Sequence, residues 1–131
     1  MFKQFLLATF FSILAPHVAS ASQEMPSGNA CNDAKTTAQM RECQNSRYER
    51  SDSELNQVYA ELMSRLHESR QEKLKAAQRA WIQFRDKHAE FMASEFEGGS
   101  MSPLISIYWL SLMTEHRLSE LREILQETPV E

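Results

Sequence analysis

Residues 73–96 read KLKAAQRAWIQFRDKHAEFMASEF. Neither Gly nor Pro interrupts the run, and it is rich in the strong helix formers Ala, Lys, Gln, Arg, Glu and Leu. Leu74, Ala77, Trp81, Phe84, His88 and Phe91 recur at spacings of three and four, which places them on one side of a helix. Trp81 and Phe84 are among the bulkiest of these. The spacing therefore predicts that this helix supplies the centre of the core, with those two rings as anchors. Gln78, Arg79, Arg85 and Asp86 share the segment. Such residues suit a scaffold better than a reaction.

Upstream, Thr36 with Gln39 fits a capped helix start. Leu55, Val58, Tyr59, Leu62 and Leu66 form an apolar stripe at helical period. Ser51 with Glu54 fits a second capping box, which would start a new helix. No Gly or Pro occurs between Lys35 and Glu72, however, and this favours one continuous or gently bent helix over residues 37–67. The wholly polar residues 67–72 read as a tight connection.

Downstream, Gly98-Gly99 suits a left-handed helix stop. Ser102 is placed to cap the next helix, with Pro103 in its first turn. Leu104, Ile107, Tyr108, Leu112, Leu118, Leu121 and Leu125 continue the apolar pattern until Thr128-Pro129-Val130. Without strand alternation or internal repeat, the reading is all-α: a small antiparallel bundle of about three principal helices.

The chain has 131 residues, enough for one small domain. Residues 1–21 resemble a secretory leader: Lys3, an apolar run from Phe5 to Ala15, and Ala19-Ser20-Ala21 as a cleavage signature near Ala21. That run is too short for a permanent membrane anchor. Residues 22–30, with Pro26 and Gly28, read as a flexible mature N-terminus. The helical domain is expected over residues 31–126 and a tail over 127–131. Removing the leader takes away one base, Lys3, so the formal charge moves from −4 to −5. An acidic chain is a poor match for nucleic acid and a good one for cationic partners. A periplasmic or secreted location favours a disulfide between Cys31 and Cys43 over two free thiols. Closing so short a loop stabilises by on the order of 3 kcal/mol on the chain-entropy model.

Several strings together resemble one family. They are Cys31 to Cys43 with Thr36-Thr37-Ala38-Gln39-Met40 between them, and Asp52-Ser53-Glu54-Leu55-Asn56-Gln57-Val58-Tyr59. The Gln78-Arg79-Ala80-Trp81-Ile82 string follows, then Phe84-Arg85-Asp86, Gly98-Gly99-Ser100, and Leu112-Met113-Thr114-Glu115-His116-Arg117. The combination is similar to the LprI-like lysozyme-inhibitor N-terminal domain family of small exported bacterial proteins. That resemblance implies an α-helical fold, no enzymatic activity, and inhibition of a lysozyme by docking. Many members carry two further cysteines where this chain has Ala89 and Trp109. A small residue opposite a large aromatic would there replace a covalent link by packing.

The polar set Asn56, Gln78, Arg85, Asp86 and Arg117 reads more readily as an interhelical network than as a recognition surface. Gly98, Gly99, Ser100, Met101 and Ser102 form the candidate contact loop. Lysozymes are generally cationic and work through a carboxylate pair in a cleft, so an acidic protein could be steered there while a neutral loop enters it. No catalytic residue, cofactor or metal site is expected. His67, His88 and His116 lie on separate segments without ligand spacing, and neither a nucleophile elbow nor a phosphate loop is present. The partner is expected to be lysozyme or another envelope protein. The alternative is an envelope interaction or stress-response module that does not inhibit lysozyme.

Overall fold

A computed structural model describes residues 31–130; the expected leader and the segment 22–30 lie outside the described residues. Three helices follow one another: α1 (Thr37–Ser64), α2 (Glu68–Ser94) and α3 (Met101–Glu127). Among the described residues there is no strand.

α1 opens on a reciprocal cap. The Thr36 hydroxyl accepts from the Gln39 backbone N–H at 3.2 Å, and the Gln39 side chain accepts from the Thr36 N–H at 3.2 Å. The Cys31–Cys43 disulfide, with Cα atoms 5.5 Å apart, folds the entry segment onto this first part of α1. Ser51 does not begin a second helix. It is buried, and its hydroxyl donates back to the Tyr48 carbonyl at 3.0 Å. α1 is thus one continuous helix.

The connection to α2 is shorter than the polar run suggests. Gln71 donates to the Met63 and Leu66 carbonyls at 3.0 and 2.8 Å, tying the first turn of α2 to the end of α1 and the connection after it. Residues 68–72 are therefore helical, and α2 starts five residues before position 73. Its far end also moves. α2 stops at Ser94, and Phe96 and Glu97 form three-residue turns back to Ala93 and Ser94. Only then does Gly98 take the left-handed conformation, at φ 79°. Ser102 is not the cap of α3. The cap position lies two residues earlier, at Ser100, which makes no side-chain capping bond, so Met101 and Ser102 are helical; Pro103 does sit in the first turn, where no N–H is needed.

The core is a leucine cluster between α1 and α3: Leu55, Leu62 and Leu66 meet Leu118 and Leu121. Trp81 and Leu74 of α2 pack on its flank. The expectation that α2 carries the centre, with Phe84 as an anchor, is therefore corrected. Phe84 is 60% exposed and Phe91 70% exposed. The buried side of α2 consists of Gln78, Arg85, Ala89 and Ala93. Neighbours on a helix point about 100° apart, so burying Arg85 turns Phe84 outward. α3 is the helix that packs extensively on both others.

Candidate functional site

Two features arise where α2 meets the other helices. The first is a polar network built on the α2 motif residues. Arg85 is only 7% exposed and is surrounded by complementary groups. It donates to Asp86 at 2.9 Å and to the Thr114 hydroxyl at 3.4 Å, and pairs with Asp52 of α1 at 3.5 Å. Its guanidinium also lies over the rings of Trp81 and Tyr48, at 5.1 and 5.5 Å from their centres. Trp81 has a second cation, Arg117 of α3, at 5.9 Å. Arg117 in turn donates to the buried Gln78 amide oxygen at 3.1 Å and pairs with Glu120. Asn56 donates to Asp52 at 3.2 Å and is otherwise exposed.

Gln78, Arg85, Asp86, Arg117 and Asn56 thus join one chain of contacts across all three helices, with Trp81 as its hinge. The arrangement gives a buried cation its counter-charges and fork geometry, the condition under which burial is tolerated. Three participants were absent from the sequence-derived set. Tyr48, Asp52 and Thr114 sit on α1 and α3, and no local pattern relates them to Arg85. Burial pushes the Tyr48 phenol up from its ordinary value, against the opposing pull of Arg85.

The second feature is the α2–α3 turn and the groove beneath it. Gly98, Gly99, Ser100 and Met101 are exposed and Ser102 is half-buried. Phe96 and Met101 bring large apolar side chains to the surface there. The groove, about 700 Å³, runs from this turn toward Tyr48, floored by Ala89 and Ala93. Asp86, Glu90 and Glu97 line it, with Arg85 as the one cation among them, paired to Asp86. Glu90 is hydrogen-bonded by Lys87 at 2.7 Å, which holds its carboxyl below the usual range and Lys87 above its own. Ala89, one of the two positions noted above, is fully buried, while Trp109 packs edge-on against the neighbouring His88 with ring centres 5.0 Å apart.

Among the described residues, no group of His, Cys, Asp and Glu converges as a metal site, and no helix is long and apolar enough to cross a membrane. The fold and network define a class: an all-α, three-helix domain closed by one N-terminal disulfide and tied through a buried arginine. The chain belongs to the LprI family, whose model, described as "Lysozyme inhibitor LprI", matches residues 28–121. It is similar to the uncharacterized protein R02472 of Rhizobium meliloti (strain 1021), at 30% identity across 91% of this chain and 94% of that one. No solved structure matches it. The disulfide fits an oxidising compartment.

Proposed function

We propose that this chain is exported through cleavage near Ala21 and inhibits a lysozyme in the envelope by docking on it, without bond-making chemistry of its own. Membership of a family described as lysozyme inhibitors carries the reading. The α2–α3 turn together with the first two residues of α3, residues 98–102, is the contact segment in this reading. Its exposure and the apolar side chains of Phe96 and Met101 support that role. The acidic lining of the adjacent groove and the net charge, −4 for the whole chain and one unit more negative once Lys3 is removed, favour encounter with a cationic protein. The polar network around Arg85 holds the helices that present the turn, and is structural.

The test is lysis of cell-wall substrate by several types of lysozyme, with the purified exported chain added in micromolar excess. Slowed lysis is expected with at least one of them. Met101→Asp combined with Ser100→Arg is expected to weaken that protection at least about tenfold. If no lysozyme is slowed, the reading fails, and a partner sought among other envelope proteins replaces it. If the loop variant protects as well as the unaltered chain, the turn is not the contact.

A further inference from the structure

α2 carries an outward stripe that no other described residue covers. It comprises Lys73, Ala77, Ala80, Phe84, His88, Phe91 and Glu95, and all but the half-buried His88 are exposed. The spacings are four, three, four, then four, three, four, so the stripe is symmetric about Phe84. Rings continue it onto α3. Phe84 lies 5.7 Å from His88, His88 5.0 Å from Trp109, and Trp109 5.8 Å from Tyr108, which is itself 40% exposed. An uncovered face of this kind marks an interaction surface.

We propose that this face joins two copies of the chain as a symmetric dimer, α2 against α2 antiparallel, with the two-fold axis at Phe84. The symmetry of the stripe selects the occupant. Around that axis, Phe84 meets Phe84, Ala80 meets His88 of the partner subunit, and Ala77 meets Phe91 of the partner subunit. Small side chains thus oppose large ones, as close helix packing requires.

The ends are also complementary. Lys73 meets Glu95 of the partner subunit, and neither has an ion pair within its own chain among the described residues. In its own helix, Lys73 lies toward the positive end and Glu95 at the negative end. The antiparallel copy reverses this, setting each charge near the helix terminus that favours it. Phe84, Phe91 and Tyr108 would together bury roughly 350 Å² per copy, less than half of the about 800 Å² per partner in a standard interface, so these rings form its apolar core and the polar rim, Lys73 and Glu95 included, supplies the rest. A cationic partner is matched instead by the acidic groove on the other side of α2.

Sedimentation of the purified exported chain at physiological salt tests the proposal. A mass of two chains is expected at micromolar concentration. Phe84→Ser with Phe91→Ser should raise the dissociation constant at least about 100-fold while leaving the helical circular dichroism intact, because both residues are exposed. Lys73→Glu should weaken the dimer about fivefold, and adding Glu95→Lys should restore it, since the swapped charges again face each other. The axis has its own readout. Phe84→Cys should cross-link to itself under oxidation, whereas Phe91→Cys should not, because fourteen residues of helix rise set its two copies about 21 Å apart. A monomer at 100 µM would overturn the proposal, as would a dimer indifferent to the serine pair. If the chain is monomeric and the serine pair instead loses lysozyme protection, the face belongs to that partner and the dimer is wrong.

Discussion

Arg85 shows what a single residue contributes in this fold. Its guanidinium lies over two aromatic rings while its N–H groups reach Asp86, Asp52 and Thr114. Both carboxylates keep partial access to water, so losing the cation does not strand a fully buried charge. Arg85→Ala should therefore cost about 2–4 kcal/mol, from lost packing, stacking and charged hydrogen bonds. Arg85→Lys should recover less than half, because an ammonium cannot form the planar fork or stack on a ring. Urea titration decides this: a loss below about 1 kcal/mol for the alanine variant would mean that the network is ornamental. Tyr48, against the same guanidinium, gives a pH signature. Burial raises its folded-state pKa above the ordinary 10.0, so the folded state holds the phenol proton more tightly than the unfolded chain does. That contribution is fully present below pH 10 and is lost as pH rises through the raised value. Tyr48→Phe should therefore flatten the alkaline limb of stability against pH. Identical alkaline slopes for the two proteins would refute the assignment.

At the scale of elements, the start of α1 depends on two local devices, the Thr36–Gln39 cap and the Cys31–Cys43 bridge. The bridge spans a sequence separation of 12, and so short a loop limits its stabilisation to about 3 kcal/mol. Most of the core lies beyond its reach, at Leu55 and after. Replacing both cysteines by serine should therefore fray the first turns of α1 and leave the rest of the bundle folded. Amide exchange should accelerate over residues 37–47 and change little in α3; uniform acceleration would show the bridge to be global instead. These devices were legible in the sequence because caps, cysteine pairs and apolar stripes are local patterns. The existence and order of three helices followed from the same patterns. Which side of α2 faces inward did not. Trp81, Phe84, His88 and Phe91 share a broad sector, and Arg85 sits just beside it. Only the partners on α1 and α3, Tyr48, Asp52 and Thr114, make burying the arginine favourable, and they are distant in sequence. The turn at Gly98-Gly99-Ser100 was legible as a loop because Gly98 needs the left-handed conformation, whereas Met101 and Ser102, read as part of that loop, lie in the first turn of α3. The helix boundaries shifted because hydrogen bonds set them, from Gln71 at the α1–α2 connection and from Phe96 and Glu97 at the end of α2, and no propensity encodes those bonds.

For the whole molecule, apolar burial is divided unequally. The leucines that are wholly buried, Leu55, Leu62 and Leu121, belong to α1 and α3. α2 contributes two alanines, an amide and an arginine to the interior, with Trp81 and Leu74 only on the flank. Its attachment is thus mostly polar and close-packed rather than hydrophobic. Alanine and polar contacts remove little apolar surface from water, so the free energy holding α2 in place is a small part of the total. Sub-global opening should follow that division. In native-state amide exchange, α2 should open at a free energy clearly below the global value, while the facing halves of α1 and α3 around the leucine cluster exchange only by complete unfolding. Truncations should agree. Leu121→Ala leaves a cavity in a fully buried site and should cost about 2–5 kcal/mol. Phe84→Ala, although it removes a larger side chain, should cost the single chain less than about 0.5 kcal/mol, because that ring is already in water. The comparison is best made well below micromolar concentration, followed by tryptophan fluorescence, so that self-association does not shelter the ring. Equal losses for the two substitutions, or α2 amides protected to the global limit, would show that α2 shares the core after all. The order found instead would identify the helix bearing both the acidic groove and the exposed rings as the one able to shift without unfolding the α1–α3 pair.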